Sequence, residues 1–309
     1  MTKTGSLTFG DIVVDLTNTD RVMFEDVGIT KREVIDYYKD VADLMVPELR
    51  DRALTIERYT KSVAAGGFIM KHAQKHYPKW IPRVELGGKT IVEYPVCNNQ
   101  ATLVYFANQG AVAFHIWTSL TQTPMQPNEI VFDLDPEDAK KFPAVVQIAS
   151  ILHDLLDELT LPSFVKTTGS KGLHVVVPVD GKATFDKCRE VVSGIAKLLI
   201  ARYPELVTLE FHKKDRKGRL YFDTGRNIAG ATFVAPYSLR GRPGAPISAP
   251  LTWSELDDPK LQPNGIKLRD FRARRDAVGD PWFGWRKHPG SVAKALKKLA
   301  PLLQSIVSG

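Results

Sequence analysis

The chain has 309 residues, with 42 Lys+Arg against 35 Asp+Glu, a formal net charge of +7. With 43% hydrophobic and 25% charged residues, the composition is that of an ordinary packed protein and excludes a disordered, collagenous or coiled-coil chain. The basic excess points to an anionic partner, and no run approaches the ~18 apolar residues that span a bilayer.

The start, MTKTGSLTFGDIVVDL, has no apolar core behind a basic end and does not read as a secretory signal. A cytoplasmic, nucleoid-associated protein is the expectation. Cys97 and Cys188 form neither a C-x-x-C motif nor a zinc framework, and they are predicted to be small buried hydrophobes. In chain order, the first helix signal is Thr30-Lys31-Arg32-Glu33, a capping box followed by Val34, Tyr37, Tyr38, Val41, Leu44 and Met45 at helical spacing. From Thr90 the texture changes to short segments, IVEYPV, TLVYFA and AVAFHIW, read as strands between Asn-Asn and Asn-Gln-Gly turns. EIVFDLDP is another strand, ended by Pro136, and residues 142–159 carry a helical pattern. FVKTT and GLHVVVPV flank Gly169-Ser170 and predict a hairpin. A helix over 185–203 and strands near VTLEFH, RLYFD and ATFVAP complete an α+β pattern, with 240–250 as the best loop. The expected organisation is one catalytic domain over 1–309, with an amino-terminal part to about 90, a catalytic sheet core over about 91–250 and a basic helical part over about 251–309.

Asp133 and Asp135 are two apart on an apolar strand, so both carboxylates should project from one side. Asp223 ends another apolar strand and is a candidate third ligand. Such oxygen donors suit magnesium or manganese; the same D-L-D-P is also compatible with a strand end whose aspartates cap the following helix. In Thr167-Thr168-Gly169-Ser170-Lys171-Gly172-Leu173-His174 two glycines flank Ser170 and Lys171, a segment able to cradle phosphate through backbone amides, or a plain exposed turn. It lacks the P-loop order. His115 alternates out of an apolar strand, as a ligand or as a core histidine. His72 and His76 are spaced to share a helix face, without the glutamate of a zinc-protease motif. Basic runs occupy 212–219 and 267–275. Arg58, Lys61, Lys71, Lys75 and Lys79 interleave with Phe68, Tyr77 and Trp80, the composition of a nucleic-acid surface or of an amphipathic helix with its rings in the core.

Together, VFDLDP, TTGSKGLHVVVPV and RLYFDTGRNIAGATFVAPYSLRGRPGAP resemble the polymerase domain of bacterial ligase D, in the archaeo-eukaryotic primase superfamily, and the likeness extends through LTNTDRVMFEDVGITKREVIDYY, LTIERY and GGFIMKHAQKHYPKW. The ligase and phosphoesterase modules that often accompany this domain are not in the sequence, as in an excised domain or a stand-alone relative. The resemblance implies an α+β primase-polymerase fold of mixed, mostly antiparallel sheets flanked by helices, with an RRM-like catalytic core. It implies a DNA-directed polymerase of end joining that extends primers and fills gaps with NTPs or dNTPs through two divalent ions, Mn2+ or Mg2+. Asp133, Asp135 and Asp223 would be the metal triad. His115, Thr168, Ser170, Lys171, His174, Arg226 and Arg240 would surround the nucleotide. Arg21 and Lys31 would grip a 5′ phosphate, and Phe68 with Ile69 would stand where two template-stacking aromatics are usual. The implied partners are DNA with ends, gaps or overhangs, a Ku-like end-binding protein and a DNA ligase, with no membrane. A primase, or an end-binding module without catalysis, are the rival readings.

Overall fold

In the computed structural model, which describes residues 3–87 and 90–307, the chain forms two compact units. One takes the residues up to Trp117 with Val234–Ala249 and Ile266–Gly279; the other takes Thr118–Phe233, Pro250–Gly265 and the residues from Asp280 onward. The units interleave along the sequence. The reason is backbone pairing: after Phe233 the chain returns to the first unit, where the Ala235 amide donates to the Phe114 carbonyl at 2.9 Å.

The first unit is built on an antiparallel sheet in which Leu54–Arg58 lies between Ala111–Trp117 and Phe68–Met70. Its register pairs Thr55 with His115, Glu57 with Ile69 and Arg58 with Phe68. The capping box at Thr30 starts the helix Lys31–Asp40 as expected. That helix buries Tyr38, whose ring meets Phe114 edge-on at 5.0 Å and whose hydroxyl donates to the Val112 carbonyl and accepts the Leu239 amide. A fully buried phenol is tolerated when its polar tip is satisfied in this way.

The segment TLVYFA is a helix, Gln100–Asn108, and not the strand expected. Asn99 caps it, accepting the Thr102 amide at 2.8 Å. Because Ala101, Thr102, Leu103, Val104, Phe106, Ala107 and Asn108 are all buried, no polar face betrays the helical period. His72 and His76 lie in irregular chain and share no helix face. Tyr77 is buried and Trp80 packs edge-on against Tyr105, so Phe68 alone of the three expected aromatics is exposed.

The second unit carries a four-stranded antiparallel sheet in the order Glu129–Leu134, Leu173–Pro178, Phe164–Thr167, Pro250–Leu251. The first two of these strands and the hairpin between the second and third are those expected, as are the helices Phe142–Glu158 and Phe185–Arg202. The helix Val292–Val307 packs on Phe185–Arg202 so closely that a Cβ on Gly194 would sit 2.3 Å from Leu299. Mixed helices and antiparallel sheets make this an α+β fold. Both cysteines are buried, and burial pushes their thiols up to about 12. No described helix is long and apolar enough to cross a membrane. The corrected helix yields a test: Asn99→Ala removes its cap and is expected to lower stability by about 1 kcal/mol, read as a lower urea midpoint at unchanged m-value.

Candidate active site

In the second unit Asp133 stands in register with His174, and His174 with Lys166 on the next strand. On its other flank Asp133 forms a single antiparallel bridge with Asp223. Side chains in register project to one face of a sheet, so Asp223, Asp133, His174 and Lys166 form one row, two acids followed by two bases. His174 Nε2 lies 3.4 Å from one Asp133 oxygen. The Arg226 guanidinium donates to the other at 2.9 Å and reaches Asp223 at 3.5 Å. Burial alone would raise the Asp133 pKa; the neighbouring His174 and Arg226 outweigh it and hold the carboxyl at about 2. The Phe233 ring lies against His174 and beneath the buried Lys166 ammonium, 5.7 Å from its centroid.

Asp135 is exposed, one residue beyond the strand end. Among the described residues no three acidic, His or Cys side chains converge as a metal cage, so the expected triad is not preformed. Like charges do not gather without a counter-charge, and here Arg226 supplies it to two of the three. The donor set nevertheless fits a divalent ion: paired hard oxygens already drawn to a cation, with a third carboxylate two residues along the chain.

The Thr168 loop differs from an open amide cradle. Thr168 Oγ1 accepts the Ser170 amide at 3.3 Å and the Gly172 amide at 3.2 Å, while the Thr168 amide donates to the Gly172 carbonyl at 3.0 Å. The amides expected to hold phosphate are used to shape the turn, leaving the Ser170 hydroxyl and the exposed Lys171 ammonium as its outward groups. A Cβ on Gly172 would lie 2.0 Å from the Leu134 carbonyl, so this residue must be glycine for the loop to lie against the carboxylate strand.

Sequence reasoning missed Asn227. It is 1% exposed, and its side chain pairs with both backbone groups of Val131, accepting the amide and donating to the carbonyl at 2.9 Å each. Val131 belongs to the sheet's edge strand, whose outer backbone groups need partners. Asn227 therefore acts as a substitute strand, fixing the Asp223–Arg226 turn two residues from Asp133. An asparagine immediately after an arginine in a turn carries no signal of this.

In the first unit His115 Nε2 lies 3.1 Å from Glu57, another residue not foreseen. The His115 hydrogen bond, more than the charge of Arg240, holds the Glu57 carboxyl below its ordinary range. Arg21 and Lys31 are also brought together: the Lys31 amide donates to the Arg21 carbonyl. Burial, then Arg21, then Arg58 push the Lys31 ammonium down to about 8. Its Nζ donates to the Thr17 carbonyl, and the buried Arg21 Nε has no hydrogen-bond partner. Phe68 and Ile69 are both exposed but, as neighbours on a strand, point to opposite sides, Phe68 beside Arg58 and Ile69 beside Glu57.

Removing the Asn227 clasp isolates its contribution. Asn227→Ala strands two buried backbone groups of Val131 and is expected to cost about 2–3 kcal/mol, while Asn227→Asp keeps the acceptor but buries a carboxylate with one oxygen against the Val131 carbonyl, and is expected to cost at least as much. Chemical denaturation with backbone amide exchange at Val131 checks both.

Residues 30–282 match the family model "LigD, primase-polymerase domain". The chain is 34% identical over 270 residues to the multifunctional non-homologous end joining protein LigD of Mycolicibacterium smegmatis, covering 86% of this chain and 35% of that protein. It is 32% identical over 277 residues to the bifunctional LigD of Bacillus subtilis, covering 89% and 44%. The chain thus spans between about a third and under half of the length of these relatives. Among solved structures, the polymerase domain from Mycobacterium tuberculosis ligase D in complex with DNA matches with a TM-score of 0.83 and 31% identity, over 90% of this chain and 99% of that one. The chain belongs to the LigD primase-polymerase domain family.

Proposed function

We propose that this chain is a template-dependent nucleotidyltransferase that extends primers and fills short gaps at DNA double-strand breaks, using NTPs or dNTPs. The observation that carries the reading is the carboxylate pair Asp133 and Asp223, set side by side on bridged strands and drawn to one cation. Asp133, Asp223 and Asp135 would hold two divalent ions, Mg2+ or Mn2+, which when bound activate an attacking 3′ oxygen and clamp a triphosphate. Arg226, once released from the carboxylates, and Lys171 place positive charge where pyrophosphate develops. Thr168 orders the loop that presents Ser170 and Lys171. His174 is held between Asp133 and Phe233, beside the nucleotide. Within the first unit, His115, backed by Glu57, and Arg240 are proposed as nucleotide-contacting residues.

Arg21, Lys31 and Arg58 are the proposed site for a downstream 5′ phosphate. Their mutual repulsion and the unpartnered Arg21 Nε are relieved by a dianion, and a terminal phosphate carries more charge than an internal one. Phe68 is the proposed stacking face for a template base, with Ile69 as an apolar wedge. A Ku-like end-binding protein and a DNA ligase are the proposed partners, in keeping with relatives that are non-homologous end joining proteins.

Extension of a primer on a gapped duplex in Mn2+ tests the chemistry. Asp133→Ala and Asp223→Ala should each reduce it by about a thousandfold or more while DNA affinity changes little; unchanged extension by the pure double variant sinks the mechanism. The phosphate site has its own test in pH. Lys31 is a cation below about 8 and loses its proton above it. Preference for a 5′-phosphorylated over an unphosphorylated end should therefore be full at pH 7 and fall above pH 8, by at most about tenfold per pH unit. Because the unfolded lysine titrates near 10.5, the unfolded chain binds more protons between these values and stability should rise with pH across that window. Lys31→Met should flatten both profiles, and a flat wild-type profile from pH 7 to 9.5 counts against the assignment.

A further inference from the structure

The segment joining the strands Val207–Thr208 and Leu220–Tyr221 carries the most exposed aromatic ring of the second unit's site region. Phe211 is 70% exposed, with Leu209 also solvent-facing at 44%. Its backbone is nonetheless fixed: Arg216 donates to the Phe211 carbonyl at 2.7 Å and to the Glu210 carbonyl at 3.1 Å. The ring is held from one side only, edge-on to His212 at 5.6 Å and to Tyr221 at 6.0 Å. Tyr221 is itself covered by the Arg216 guanidinium at 4.5 Å. Tyr221 precedes Asp223 by two residues, so the ring stands beside the carboxylate edge.

The charge around the ring is one-sided. Residues 210–219 hold five Lys/Arg, at 213, 214, 216, 217 and 219, against Glu210 and Asp215, a net of +3. A hydrophobic ring left in solvent within a basic loop is complementary to a polymer with an anionic backbone and flat apolar bases. A protein partner would need an apolar patch, and the exposed Lys214 and Lys217 that follow Phe211 in the same loop do not provide one.

We propose that Phe211 is a stacking platform for a nucleobase of the primer strand, and that the flanking cations hold the adjoining phosphates. This rests on the polymerase reading above, since the primer's 3′ end must approach Asp223. The primer is preferred to the template because the ring packs against Tyr221, two residues before that carboxylate.

Primers carrying 5-iodouracil at their last three positions, annealed to a template, are photo-crosslinked to the full chain and the adduct located by mass spectrometry. A crosslink to Phe211 from the primer, with none from a substituted template, is expected. Affinity is measured in parallel for primed and unprimed template. Phe211→Ala should weaken primed-template binding by about tenfold, equivalent to ~1.4 kcal/mol, and leave unprimed binding unchanged; Phe211→Trp should restore it. Equal binding by Phe211→Ala and wild type overturns the proposal, as does a crosslink from the template strand alone. Since the residue is exposed, the variant's melting temperature should match wild type. Failure of wild type to extend any primer would instead remove the polymerase reading, which separates the two outcomes.

Discussion

Two carboxylates on bridged neighbouring strands repel one another, and the second unit is arranged around that repulsion. Side chains opposite each other on adjacent strands lie about 5 Å apart, where two like charges at an effective dielectric near 20 oppose each other by roughly 3 kcal/mol. Asp133 and Asp223 hold this position because cations flank them: Arg226 touches both and His174 touches Asp133. The Asp133 carboxyl remains ionised to about pH 2 for that reason. Gly172 on one side, which alone lets its loop lie against Leu134, and Asn227 on the other, which clasps Val131, keep the carboxylate strand from moving away.

The first unit presents the opposite imbalance. Arg21, Lys31 and Arg58 are close enough for the two arginines to depress the lysine, and one buried guanidinium nitrogen has no partner. Protein interiors rarely leave such a donor unsatisfied without a functional reason. Around Asp133 the protein's own Arg226 and His174 offset the paired carboxylates, whereas around Lys31 the cations Arg21 and Arg58 add to the lysine's charge and depress it. The order of the row Asp223, Asp133, His174, Lys166 extends this logic within one sheet face, with the acids at its open edge and the buried ammonium toward its interior.

What was legible in the sequence follows from where the signal is local. The Thr30–Glu33 box, the hairpin at Gly169 and the D-x-D pair declare themselves over four to eight residues, and the structure has each of those elements. The helix Gln100–Asn108 does not, because burial on nearly all sides removes the polar stripe that marks a helix. Glu57 and Asn227 were invisible for another reason. Each acts on a residue 58 or 96 positions away, and only the register of the sheet or the path of the turn brings them together. The Thr168 hydroxyl accepts the Ser170 and Gly172 amides and so organises the loop, a role that depends on the turn's folded path and has no signature in sequence.

The net charge of +7 takes on a different meaning once the pairs are known. The run KLRDFRARR looks in sequence like a nucleic-acid patch, but Arg269 binds Glu33 at 2.9 Å, Arg272 binds Asp40 and Arg275 binds Asp43 at 2.5 Å. Those acids lie on and just after the Lys31–Asp40 helix, so the run is a clasp within the first unit and contributes little field at a distance. By contrast Lys171 and the 213–219 loop are short in sequence and hold few acids. Counting basic residues therefore overstates the role of the longest run and understates that of isolated cations beside carboxylates or phosphate-sized gaps. The density of unpaired charge, not its total, determines where a polyanion is drawn.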